Sequence, residues 1–272
     1  MNLRRLDGRG LTTAAALARV LSVEAAYHAA GAAESFQRAG ALFVRDARTP
    51  RIYDSNHARL VRTDEAGVEV LMGAVEAELS ARGHRASIRL DPLSLPPSLT
   101  ARLALEGWER EEGILMTLEG ELRAPAQELR VREVESDAEW ADYLSLKLSD
   151  DGAPWVQSVG DQWVGYMRRK RPRLRTWFAL RGDHAVGFFS EFVEGDLGLL
   201  EDLYVHPAAR LQGVATWLVA HCVGEARKRG ARTVFLTARA ADTPKHMYAK
   251  MGFRPLAVTQ NWLAPMPPQD TR

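Results

Sequence analysis

Between residues 175 and 205 the sequence reads RTWFALRGDHAVGFFSEFVEGDLGLLEDLYV, three apolar runs separated by Gly182-Asp183 and Gly195-Asp196. A Gly-Asp pair suits the left-handed backbone of a tight hairpin, which makes neighbouring runs antiparallel. The runs at 175–180, 185–193 and 197–205 therefore predict a meander. Past residue 205 the pattern changes character. His206-Pro207 ends the third run, because proline lacks an amide hydrogen and holds its predecessor extended. Arg210 and Gly213 then lead into a helix expected over 214–229, with Val214, Trp217, Leu218, Cys222 and Ala226 on its apolar face. Gly230 closes it. A strand at 232–238, a helix at 244–250 and a strand near 257–263 complete the pattern. A meander followed by strand-helix-strand-helix predicts a mixed, mostly antiparallel sheet flanked by helices, an α/β (α+β) fold.

The chain is long enough for two domains of ordinary size, and its 272 residues divide naturally near 125. Residues 124–128 read as a linker between 1–123 and 129–272. Beyond them come a strand at 129–134, a helix at 137–149 opened by the capping box Ser136-Asp137-Ala138-Glu139, and a helix at about 159–170. The first half echoes the second. ELSARGHRASIRL (78–90) resembles EARKRGARTVFL (225–236), and SLTARLALEGW (98–108) resembles TPKHMYAKMGF (243–253). Ile88 to Gly107 spans 19 positions and Val234 to Gly252 spans 18. Two elements in matching order argue for a duplicated unit; chance likeness of two helix-strand-helix pieces is the other reading.

A net charge of +1 gives no general case for nucleic acid or a membrane surface as partner. The one cysteine, Cys222, excludes an internal disulfide framework and fits a reducing, cytoplasmic setting. No 18 apolar residues run together, so no spanning segment is expected. The first 27 residues read as an amphipathic helix rather than a signal peptide, since Arg19 and Glu24 interrupt the apolar stretch. The seven histidines show no ligand spacing, and no metal site is expected.

A helix's first turn leaves about four amide hydrogens without partners, carrying roughly half a positive charge. Amides bared by Gly213 and reinforced by Arg210, with Thr216 adding a hydroxyl, make an anion seat suited to a phosphate or pyrophosphate. An ordinary strand-loop-helix connection with a solvated arginine is the competing reading.

The segment LEDLYVHPAARLQGVA resembles the acetyl-CoA-binding segment of the GNAT superfamily of N-acetyltransferases. Val205, Pro207, Arg210, Gly213 and Ala215 match its pattern, and MYAKMGFRP (247–255) resembles the family's Tyr-x-x-x-Gly-Phe helix end. The resemblance covers about 129–263. It implies a cytoplasmic acetyl-CoA-dependent N-acetyltransferase with a catalytic GNAT domain at 129–272 and a degenerate GNAT-like domain at 1–123. It implies that Leu203, Tyr204 and Val205 face the pantetheine arm, and that Arg210, Leu211, Gln212, Gly213, Val214, Ala215 and Thr216 hold the pyrophosphate. Tyr248 takes the family's acid position, with Thr243 as N-cap and Pro244 at the first helical position fixing its helix. Glu201 resembles the strand glutamate of polyamine-acetylating members.

The chemistry agrees with those roles. An alkylamine is neutral only about once in 2,500 molecules at pH 7, a deficit of roughly 4.6 kcal/mol, so a positioned base helps. Glu201 is preferred; Asp202, on the opposite face of a regular strand, or water are the alternatives. A phenol stays protonated at neutral pH and can donate to a sulfur anion. One departure stands out: Ala241 occupies the place where the family often has a pantetheine-binding asparagine, with Asp242 beside it. In the first half, Asp64, Glu65, Ala66 and Gly67 replace the phosphate loop and Leu103 replaces the tyrosine. The expected acceptor is a primary amine of a small molecule. The alternatives are a non-catalytic acyl-CoA sensor and an enzyme acting on protein or peptide amines. The chain is expected as a monomer or a homodimer. Two stretches remain open: PRIYDSNHARL (50–60), a functional loop or a plain connection, and RRKRPRLR (168–175), a phosphate contact or a solvated helix end.

Overall fold

The computed structural model describes residues 13–80, 85–123, 129–149 and 156–265. In chain order its elements are α1 (Thr13–Gly31), β1 (Glu34–Arg38), β2 (Ala41–Arg45), β3 (His57–Arg59), α2 (Val68–Leu79), β4 (Ser87–Leu90), α3 (Ser98–Leu105), β5 (Glu109–Leu118), β6 (Arg130–Glu133), α4 (Asp137–Leu148), α5 (Gln157–Arg169), β7 (Leu174–Arg181), β8 (His184–Glu194), β9 (Leu197–Val205), α6 (Val214–Lys228), β10 (Thr233–Arg239), α7 (Pro244–Met251) and β11 (Phe253–Leu263). The stretch read as a linker, 124–128, lies outside the described residues, as do 1–12 and 81–84.

The chain forms two compact units. One comprises Met1–Ile114, Arg239–Ala241 and Leu256–Arg272; the other comprises Leu115–Ala238 and Asp242–Pro255. The last strand, which the sequence leaves with the second half, thus gives residues 256–263 to the first unit. A long apolar strand carries no mark in its own composition of which sheet it joins.

In the first unit the strand order is β1-β2-β3-β4-β11, antiparallel except for the β3–β4 pair. Phe43, Ala58, Leu71, Ile88, Leu99, Leu103 and Trp262 form its core. Within 50–60, residues 57–59 form β3 and the part before it is a connection fixed by local side-chain bonds. Ser55 Oγ donates to the Ile52 carbonyl at 3.0 Å, and Asn56 Nδ2 donates to the Thr49 carbonyl at 2.9 Å.

In the second unit the order is β10-β9-β8-β7-β6, antiparallel except for β9–β10. The two Gly-Asp turns form as expected, with Gly182 at φ 57 and Gly195 at φ 59. The capping box closes at α4: the Glu139 amide donates to Ser136 Oγ at 3.3 Å, and the Ser136 amide donates to Glu139 Oε2 at 2.9 Å. Successive β8 residues point to opposite faces. Phe188 therefore meets Tyr143 of α4, with ring centroids 4.2 Å apart, while Glu191 meets Arg229 at the end of α6. Gly198 lets α6 lie close, since a Cβ there would sit 3.0 Å from that of Ala226. Among the described residues no helix is long and apolar enough to cross a membrane, and no group of three His, Cys, Asp or Glu side chains could hold a metal ion.

Candidate active site

The loop between β9 and α6 spends the amides of its first half on its own turn and leaves those at its end, next to α6, unused. Arg210 Nε donates to the Val205 carbonyl at 3.0 Å, and Gln212 Nε2 donates to that of Ala208 at 2.8 Å. His206 Nδ1 accepts from the Ala208 amide at 3.2 Å. Leu211 and Gly213 take left-handed backbone, at φ 61 and φ 80. The amides of Arg210 and Trp217 bond to the Pro207 and Gly213 carbonyls, while the amides between them, 211–216, make no backbone bond among the described residues. Consecutive free amides at a helix N-terminus, curved by left-handed residues, form an anion-binding concavity. The Thr216 hydroxyl donates to the Gly213 carbonyl at 2.8 Å.

Beside this loop the sheet opens. β9 and β10 pair from Leu197↔Thr233 to Leu200↔Leu236, and no register between them continues beyond. Residues 202–205 therefore run on past the last β9–β10 pair, with their edge toward β10 outside that ladder. A bulge in β9 marks the change. Ser190 faces Glu201 and Phe188 faces Tyr204, so Asp202 and Leu203 stand opposite the single residue Phe189. Asp202 is left-handed, at φ 61. Its carboxylate accepts from the Tyr143 hydroxyl and, at 2.5 Å, from Lys147 Nζ. Tyr204 stacks on Phe188, with centroids 5.4 Å apart, and its hydroxyl lies 3.2 Å from Ser149 Oγ.

Tyr248 lies on α7, 6% exposed, edge-on to Phe253 at 5.9 Å. Burial raises its phenol pKa, and the negative charge of Glu201 raises it further, so the group holds its proton at neutral pH. Glu201 is half-buried on β9, next to Leu200 where the pairing with β10 ends. Pro244 opens α7 as expected, but Thr243 has helical backbone and its side chain makes no capping bond. Asp242 offers its carbonyl to Lys245 Nζ at 2.6 Å.

Sequence reasoning missed the residues that hold Asp202: Tyr143, Lys147 and, behind them, Trp163, whose Nε1 donates to the Tyr143 hydroxyl at 2.6 Å. The four-residue spacing of Tyr143 and Lys147 on one helix was the available signal. The basic run 168–175 is engaged by carboxylates, Arg168 by Asp137 at 2.5 Å and Arg175 by Glu133. His221 lies edge-on to Trp177 at 4.4 Å, and Cys222 is buried, in line with packing roles.

The first unit repeats the topology without the openings. Leu60, at φ 50, follows β3 much as Asp202 interrupts β9. Here, however, the amide of Leu95 donates to the Val61 carbonyl at 3.1 Å, and the Thr63 amide donates back to Leu95 at 3.3 Å. Gly67 is not left-handed, and its amide donates to the Asp64 carboxylate at 2.8 Å.

Residues 133–253 match the family model described as "Acetyltransferase (GNAT) family". No curated protein matches the sequence at a significant level. Among solved structures, a GCN5-related N-acetyltransferase from Kribbella flavida is similar at 16% identity and TM-score 0.70, over 91% of this chain and 95% of that one. A functionally unknown conserved protein from Staphylococcus epidermidis is similar at 14% identity and TM-score 0.67, over 84% and 92%. A tandem GNAT protein of the clavulanic acid biosynthesis pathway is similar at 18% identity and TM-score 0.56, over 85% and 80%. At these identities the likenesses concern the fold, and they extend it over both units.

Proposed function

Because the segment 133–253 belongs to the GNAT family of acetyltransferases, which makes the chain an acetyl-CoA-dependent acyltransferase, we propose that it moves the acetyl group to a primary amine of a small molecule. The observation that carries this reading is the run of unbonded amides at 211–216 beside the free edge of β9. The two features suit the two ends of one ligand. A diphosphate takes several amides at once, and an extended amide-bearing arm pairs with a strand edge. We assign the arm to Leu203, Tyr204 and Val205, and the diphosphate to Arg210, Leu211, Gln212, Gly213, Val214, Ala215 and Thr216.

A bound acetyl thioester supplies an electrophilic carbon and a thiolate leaving group. Glu201, directly or through water, takes a proton from the acceptor's ammonium to free the neutral amine that attacks, or from the nitrogen as the carbon–nitrogen bond forms. A β9 amide donates to the carbonyl oxygen as charge gathers there. Tyr248 donates its hydroxyl proton to the departing sulfur, and solvent restores it. A carbon–nitrogen bond forms and a carbon–sulfur bond breaks. The charge of Glu201 that acts on Tyr248 also supports an amine acceptor, since a cation entering this corner meets a carboxylate. The first unit, with its seat occupied by Asp64 and its strand gap bridged by Leu95, is read as a domain without cosubstrate. Calorimetry with CoA, followed by a panel of small amines with thiol release as readout, tests the reading. Absence of CoA binding at millimolar concentration, or release with peptides alone, would overturn it.

A further inference from the structure

We propose that Lys147 is a positioning residue for acetyl transfer: with Tyr143 it holds Asp202 in the left-handed bulge that separates β9 from β10 and opens the groove for the pantetheine arm. The proposal rests on the function assigned above. The ladder between β9 and β10 ends at Leu200, two residues before Asp202. Asp202 is thus the point where β9 leaves its neighbour. A left-handed aspartate is tolerated but not preferred in the middle of a strand, so something must hold it. The holding groups come from α4. Tyr143 donates to one carboxylate oxygen and Lys147 to the other, so both oxygens are tied to α4.

The surroundings favour a role in register over one in stability. The Lys147 and Asp202 side chains are each 11% exposed. Lys147 Nζ lies 4.8 Å from the ring centroid of Trp163, 5.6 Å from that of Phe188 and 5.9 Å from that of Tyr143. Burial and the Asp202 charge raise the Tyr143 pKa, which keeps its hydroxyl a donor. An ion pair drawn out of water into an aromatic cage recovers little more than its desolvation cost, whereas fixing one geometry among several is the best-attested use of such pairs. Here the fixed geometry is the bulge, and the consequence is an edge free to receive a ligand.

The test is calorimetric titration of the full-length protein with CoA, with unliganded thermal unfolding as the control for folding. Lys147→Met and Asp202→Asn are each expected to weaken CoA by about tenfold, equivalent to about 1.4 kcal/mol. The double variant should bind no more weakly than the poorer single, because both changes release the same bulge. Asp202→Ala and Asp202→Gly separate backbone from charge, since both remove the carboxylate and glycine alone accepts the left-handed backbone freely. Asp202→Gly should retain several-fold tighter CoA binding than Asp202→Ala. If Lys147→Met does not fold, this pair decides the matter. Equal binding by the Ala and Gly variants, or additive losses in the double variant, would overturn the proposal. Wild-type affinity in every variant would overturn it while leaving the assigned function intact. A wild-type protein that ignores CoA would overturn both.

Discussion

Tyr248 and Asp202 lie in one unit and receive opposite treatment from it. Asp202 has both oxygens engaged by α4, which makes it part of the frame. Tyr248 is buried against Phe253 beside the charge of Glu201, and both influences keep its proton in place. An acid must be protonated before it can act, and for the role proposed for Tyr248 burial secures that at any pH near neutral. Replacing Tyr248 by Phe removes the hydroxyl and almost nothing else. We expect kcat to fall by about 10²- to 10⁴-fold, the usual contribution of a general acid. The KM for acetyl-CoA should stay within about twofold, because the proposed diphosphate seat and strand edge are untouched. Steady-state kinetics with any accepted amine checks this, and an equal rise in KM would make Tyr248 a binding residue instead. The pH profile of the wild-type enzyme should likewise show no loss of activity from this phenol up to about pH 9, since its pKa lies above the ordinary value near 10.

Elements succeed or fail through their junctions, and β9 shows both cases. Its span, 197–205, is readable from the apolar run between Gly195-Asp196 and Pro207. The left-handed Gly213 opening α6 is readable too, because no other residue takes that backbone so easily. Those two features place the candidate seat, and the left-handed Leu211 and the side-chain bonds of Arg210 and Gln212, which the sequence does not announce, complete its curve. The bulge was not legible. Strict alternation puts Asp202 on the face opposite Glu201, and only the slip opposite Phe189 gives the carboxylate its place against α4. A bulge depends on the neighbouring strand and on the helix packed above it, and neither is written in the nine residues of β9. The same reasoning hides Gly187. In sequence it is one more small residue in an apolar run; in the structure a Cβ there would lie 2.7 Å from the Tyr204 carbonyl oxygen and 3.2 Å from Val214. Backbone must move to admit it. Gly187→Ala should therefore cost about 1–3 kcal/mol in stability and weaken CoA binding, the penalty of overpacking applied at the groove itself. Chemical denaturation and CoA titration measure the two effects; unchanged values in both would show that β8 and β9 yield more easily than their spacing implies.

For the whole molecule, charge and duplication make separate demands. Glu191 is fully buried in the second unit, with one oxygen accepting from Arg229 at 2.7 Å and the other without a partner among the described residues. Burial raises its pKa to about 7 against the pull of Arg229 and Arg175. The folded chain therefore binds this proton more tightly than the unfolded chain, whose carboxyl titrates near the ordinary value of 4.5. Between those two pH values the folded state holds more protons, so this group's contribution to stability declines as pH rises and levels off above 7. Glu191→Gln should remove that slope, and melting curves at pH 5, 6, 7 and 8 would show parallel lines if the buried carboxyl has no such effect. Duplication raises a different question, whether a chain with two units of like topology takes two nucleotides. Each unit places a left-handed residue near the end of a parallel-paired strand, Leu60 in one and Asp202 in the other. Only the second leaves the neighbouring groups unspent. In the first, Leu95 bonds across the strand gap on both sides, and the Asp64 carboxylate takes the Gly67 amide. An anion approaching that loop would have to displace a carboxylate already in place and would meet its charge. Calorimetry should thus return one CoA per chain. Gly213→Val, which puts a β-branched side chain at φ 80, should abolish essentially all the heat rather than half of it. A residual site at half stoichiometry would mean that the Asp64 loop can open, and that the first unit has kept a cosubstrate site its sequence no longer displays.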